Sequence, residues 1–281
     1  MTSHVRIFGV LSLLAVATCG GCGGGSGSGS GSTTQPPPVV NQAVGGIWRS
    51  QFTATNGDSV KGVGLVAEDG SAVFFSQNLT NGCADVGIGS LSANGTAISG
   101  NAQVAIVNFS FSPSINTNCA FTDGSTSATE VITGTIAQRS TLTLSGTVTT
   151  ANGTVLPAQA PVTATFDPLY DSGSSLAAIA GNWTGPTGVV MNINGSGVIF
   201  AQDPVSGCVV NGQVTIINSS YDAYSVSATY SNCVGTASIL NGVTASGLMA
   251  IDSTVSPAVL YVGYSAKVGS STIIVAATAT Q

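Results

Sequence analysis

Six cysteines, one histidine and eleven carboxylates are the residues of this 281-residue chain that could carry reactive chemistry. The histidine, His4, lies in the first few residues. A Ser-His-Asp triad, a Cys-His dyad or a His-ligated zinc site therefore cannot be assembled in the rest of the chain. Hydrolysis would fall to a carboxylate pair about 5–10 Å apart, and no spacing nominates one. Glu68 and Asp69 are adjacent, but neighbours in a strand point to opposite faces, and Asp69 fits a turn. Asp167 and Asp171 flank a linker and are expected to cap or solvate it, while Asp203, before Pro204, opens a turn. Asn192-Ile-Asn194-Gly-Ser196 has alternating oxygens but lacks the carboxylates and terminal Glu of a calcium loop. It is expected to be a hairpin turn. No enzyme, metal or cofactor is expected, and a histidine-free carboxylate hydrolase is the weakest of the functional alternatives.

The elements that would position these residues are strands. The chain is 43% hydrophobic but only 6% charged, against about 25% charged in ordinary domains, so Ser, Thr, Asn and Gln must supply its polar surface. A net charge of −6 excludes a basic nucleic-acid footprint. Beyond residue 43 helical periodicity is almost absent. Short Val/Ile/Thr/Phe runs are separated by Asn-Gly pairs at 56, 81, 94, 152, 194, 211 and 241, each a hairpin signal. Candidate strands include Ser71–Gln77, Gln103–Phe111, Glu130–Gln138, Thr141–Thr149 and Val162–Phe166. Further along they include Val189–Ile193, Val198–Ala201, Gln213–Asn218, Tyr224–Tyr230, Thr244–Ile251, Val259–Ala266 and Thr272–Ala279. Alternation such as Thr141-Leu-Thr-Leu-Ser145 gives each sheet one apolar and one hydroxylated face. Tyr221, Tyr224, Tyr230, Tyr261 and Tyr264 are expected to be half-buried sheet residues.

The body is written twice. Asp69-Gly-Ser-Ala-Val-Phe-Phe-Ser-Gln77 aligns with Asn194-Gly-Ser-Gly-Val-Ile-Phe-Ala-Gln202, and the same offset carries Cys83 onto Cys208. Trp48 matches Trp183, Asn118-Cys119 matches Asn232-Cys233, and Thr133-Gly-Thr-Ile-Ala137 is similar to Ser246-Gly-Leu-Met-Ala250. The boundary falls near Asp167–Ser175, separating a domain at 43–170 from one at 176–281. Four body cysteines allow three pairings; a duplicated module favours Cys83 with Cys119 and Cys208 with Cys233. No CxxC spacing in the body supports a four-cysteine metal site.

Residues 1–18 read as a signal peptide, with Arg6 closing a positive region before the apolar run Ile7–Thr18. The following Val16-Ala17-Thr18-Cys19 resembles the lipobox of bacterial lipoproteins, which implies diacylation at Cys19, with Cys22 as the fallback position. The Gly/Ser/Pro tract completing 19–42 reads as a tether. Its 23 residues from Gly20 to Gln42 reach about 26 Å on average at roughly 5–6 Å × √n. The Gly-x-Trp openings, Gly46-Ile-Trp48 and Gly181-Asn-Trp183, resemble the first strand of lipocalin and avidin barrels. That likeness implies two tandem small antiparallel β-barrels, each with one disulfide and with Trp48 and Trp183 as core plugs or ligand-lining residues. The expected function is that of a non-enzymatic bacterial outer-membrane lipoprotein, held by its acyl chains, with a binding or structural role through its two barrels and a small apolar ligand or an envelope partner as what it would bind. An adhesin-like interaction module built of Ig-like sandwiches is the alternative.

Overall fold

The computed structural model describes residues 43–54, 57–108, 119–157, 160–185, 188–269 and 271–281. The expected signal peptide and tether, with Cys19 and Cys22, lie outside them. β-Branched side chains crowd a helix but fit a pleated surface, and the Val/Ile/Thr runs form strands accordingly. Strands β1 (Gly46–Thr53), β2 (Ser59–Val66), β3 (Ser71–Asn78), β4 (Cys83–Asn94), β5 (Ala97–Asn108), β6 (Ser127–Ala137), β7 (Thr141–Thr150) and β8 (Val162–Asp167) form an antiparallel meander. It closes where Trp48 of β1 pairs with Phe166 of β8. A second closed meander follows: β9 (Gly181–Thr184), β10 (Val190–Ile193), β11 (Val198–Gln202), β12 (Val209–Ile216), β13 (Tyr224–Ser231), β14 (Thr244–Asp252), β15 (Val259–Val268) and β16 (Ser271–Thr280). A 3-10 turn, Pro168–Ser172, and a one-turn helix, Leu176–Ile179, join the two. Both expected disulfides are present, Cys83–Cys119 and Cys208–Cys233.

Two expectations are corrected. The Ig-like sandwich fails because each strand pairs with its chain neighbours and both sheets close, whereas a sandwich keeps two separate sheets with Greek-key crossings. Asn211-Gly212 is no turn: it lies inside β12, where a Cβ on Gly212 would stand 2.8 Å from that of Ala228 on β13. The repeat alignment also needs two registers. The turn bond from the Ala67 amide to Ser71 O has its counterpart at Asn194 and Val198, two residues out of step with the cysteine alignment. The hairpin β11–β12 is thus shorter, with five residue pairs against seven in β3–β4.

Strands β2 and β4 carry no period-2 signal because glycines interrupt their alternation. Those glycines are inward positions filled by neighbours. A Cβ on Gly62 would meet Ser50 Oγ at 2.5 Å, and Gly64 and Gly87 make room for the Phe74 ring. Each barrel is plugged at the end where its first strand begins. Trp48 Nε1 donates to Val44 O (3.2 Å) and Trp183 Nε1 to Ile179 O (2.8 Å), four residues back in both cases. Val66, Leu91, Ile132 and Leu142 pack with Trp48; Ile193, Val214, Met249 and Leu260 pack with Trp183. Both indoles are buried in the cores of their barrels.

A third apolar cluster lies outside both barrels, where their walls meet. Ile47, Leu65 and Val73 of the first pack with Leu248 and Ala250 of the second, together with Leu169 and Tyr170 of the linker. Strands β3 and β15 approach closely, since a Cβ on Gly263 would run into Val73 Cγ1. An aromatic series, Trp48–Phe166–Tyr170–Tyr221, crosses the junction, ending in rings stacked 5.0 Å apart. Asp222 locks it: its amide donates to Tyr170 O (2.7 Å), and its buried carboxylate accepts from the Ile251 amide.

Candidate binding site between the barrels

Side chains that point out of a barrel should be polar, since water covers them. On β1, β2 and β3 five of nine are apolar, and the register orders the nine in three rows. Ile47, Leu65 and Val73 are level with one another. Arg49, Val63 and Phe75 form the next row, and Gln51, Lys61 and Gln77 the one beyond. Facing them are two rows of the second barrel, Leu248–Gly263–Ala276 and Ala250–Tyr261–Thr278. The walls touch at Val73 and Gly263 and diverge from there, leaving a cleft of about 570 Å³ lined by these residues. That volume lies in the range of small-molecule sites. Its floor is aliphatic and its mouth is the row of amides and ammonium.

Charge at the cleft is unevenly spent. Arg49 Nε pairs with Asp167 on β8, and its Nη2 is 3.8 Å from Asp252 of the second barrel. Burial opposes ionisation of Asp167, but Arg49 and the Leu169 amide outweigh it and hold the carboxyl below its ordinary range. Arg139 is paired with Asp171 and lies over the Phe166 and Tyr221 rings. Among the described residues Lys61 forms no ion pair, and it is exposed at the mouth.

The lumens differ in kind. In the first barrel Asp85 and Glu130 are inward by register, in line with Gly87 and Ala128 on their strands. Asp85 accepts from Ser76 Oγ at 3.2 Å. Partial desolvation by the barrel wall raises both carboxyls, although Asp85 stays open to solvent and Glu130 is half-buried, and the charge of Asp85 adds to the rise at Glu130. The second lumen holds Tyr230 and Tyr264, hydroxyl to hydroxyl at 2.7 Å, with burial raising both phenols. Asp222 at the junction is pushed up to about 7, chiefly by burial and further by Asp252, against the Ile251 amide bonds. Among the described residues no cluster of three metal-ligating side chains occurs.

The residues weighed in the sequence fall as follows. Asp69 closes a turn onto the Ser71 amide, and Asn194 does the same for Ser196. Asp203 accepts from the Val205 amide and Ser206 Oγ, and Asp167 caps the 3-10 turn through the Leu169 amide. Glu68 accepts from the buried Tyr170 hydroxyl. Of the tyrosines, only Tyr261 lines the cleft. The site itself went unnoticed in the sequence, although one signal was there. The unbroken apolar stretches Ala72–Phe75 and Leu248–Ile251 belong to strands covered on both faces, where alternation is not required. The lumen carboxylates Asp85 and Glu130 were missed because each stands alone in its strand.

No protein-family model matches the chain, and no curated protein sequence does. A solved structure, Aeromonas veronii immune modulator A, is similar with a TM-score of 0.36 at 11% identity, over 86% of this chain and 97% of that one. At that score the likeness bears on neither the architecture nor the activity of this chain.

Proposed function

We propose that this chain is a non-enzymatic lipoprotein of the bacterial outer membrane that binds a small apolar ligand in the cleft between its two barrels. The observation that carries the binding role is the cleft itself: about 570 Å³ floored by Ile47, Leu65 and Leu248 on surfaces that would otherwise be polar. Both Trp-plugged barrel ends are filled by side chains, so the junction offers an apolar recess that the barrel ends do not. Anchorage is supported by the apolar run Ile7–Thr18 before Cys19 and by the Gly/Ser tract after it. With Arg6 removed, four Lys+Arg face 11 Asp+Glu. A body so acidic is repelled by anionic headgroups, and the acyl chains at Cys19 must do the holding.

A neutral fluorescent probe, N-phenyl-1-naphthylamine, tests the binding role on the full chain carrying Cys19→Ser and Cys22→Ser. One saturable site is expected, lost when Ala276→Trp fills the cleft. Absence of saturable binding, or binding indifferent to that substitution, refutes the role. Intact-mass measurement of the membrane-extracted protein tests the anchor, and unmodified Cys19 and Cys22 would remove it.

A further inference from the structure

We propose that the ligand of the cleft is a single-tailed anionic amphiphile of the carboxylate class, with its chain on the aliphatic floor and its head at Lys61. The inference rests on the binding role just given and adds the chemistry of the head.

Polarity in the cleft changes in one direction only. Moving from the row of Leu65 to the row of Lys61, the first-barrel wall passes from three aliphatic side chains to two amides and an ammonium. A wholly apolar ligand would have no use for the last row, and a wholly polar one none for the first. The sign of the head follows from the cations available. Arg49 lies nearer the floor but is held by Asp167, with Asp252 at 3.8 Å, so a second anion there would have to displace a carboxylate. Lys61 has no such partner among the described residues, and Gln51 and Gln77 flank it in the same row with amide N–H groups. In a chain with 11 carboxylates and five cations, an ammonium without a counter-ion at the rim of an apolar cleft is selective for an anion that brings its own hydrocarbon. The exposed rim also matters: the head keeps part of its hydration, so only the tail must be desolvated.

Displacement of the neutral probe from the full chain with Cys19→Ser and Cys22→Ser tests this by comparing dodecanoate with dodecanol. Dodecanoate is expected to displace it at a concentration about tenfold lower, the gain of a charge-assisted bond at a partly exposed site. Lys61→Glu should erase or invert that preference, read as the ratio of the two displacing concentrations within each variant, and Lys61→Arg should keep it. Lys267→Glu, the same charge change at the far end of β15, should also keep it. Equal displacement by the two compounds, or a preference that survives Lys61→Glu, overturns the proposal while leaving the cleft as a binding site. If the probe itself fails to bind, the site and the head assignment fall together.

Discussion

The two barrels share a plan and differ in what they expose. Each has eight antiparallel strands, a Trp at the start whose indole bonds four residues back, and a disulfide tying the start of β4 or β12 to the segment beyond the next strand, β5 or β13. Their lumens diverge: Asp85 of the first stands where the cysteine alignment puts Val210 in the second. Strands β1 to β5 are 8 to 12 residues long, against 4 to 8 for β9 to β13. The first barrel therefore has a taller wall there, with room for polar side chains above its plug. Outer faces diverge as well. Val63, Val73 and Phe75 line the cleft, while Val190, Val198 and Phe200 on the equivalent strands are 46%, 45% and 49% exposed. What closes a barrel has been kept in both copies, and what faces outward has followed the neighbour it meets.

The comparison can be broken first at the plugs. Trp48→Ala and Trp183→Ala should each cost about 3–5 kcal/mol of unfolding free energy in urea, with Trp183 the larger because it is wholly buried and has the shorter bond. A marked inequality the other way would mean that the plugs are not equivalent. Next are the disulfides, closing 36 and 25 residues. Replacing each pair by Ala should cost about 3–4 kcal/mol by loop entropy, nearly the same in both barrels, read from denaturant midpoints.

The junction has a pH signature. A carboxyl raised to about 7 in the folded protein from 3.8 holds its proton longer than the unfolded chain does. The stability that Asp222 contributes is therefore full below about pH 4 and falls as pH rises through 7. Denaturation curves at pH 4.5 and 8 should show the loss, and Asp222→Asn should flatten it; a slope unchanged in that variant would assign it elsewhere, with Asp85 and Glu130 the next groups to replace. The smallest effects lie on the equivalent outer faces. Phe75→Thr should cost about 1–2 kcal/mol by lost burial, but Phe200→Thr should stay within about 0.5 kcal/mol. Equal costs, measured in the same urea series, would mean that the Phe200 face is covered in solution.

Most of the architecture could be read without coordinates because its signals are local. Period-2 alternation, turn residues and the repeated Cys and Trp stations each act over a few residues. Strands lacking alternation were harder: the glycines of β2 and β4 look like turn signals until the side chains that fill their place are known. The cleft was harder still, since Val63, Phe75 and Tyr261 come from different barrels and no short-range pattern brings them together.

Strand content, duplication, the disulfide stations and the roles of Asp69, Asp203 and Asn194 were determined by the amino-acid order alone, because each depends on backbone preferences and neighbours close in the chain. Only the tertiary structure decided that two closed barrels meet at Val73 and Gly263, that Arg49 is paired with Asp167 and approached by Asp252 from the second barrel while Lys61 has no ion pair among the described residues, and that the apolar recess lies between the barrels. Those outcomes depend on which faces come into contact once the chain is folded. Surface complementarity between distant segments, and the water it excludes, is a property of the packed molecule.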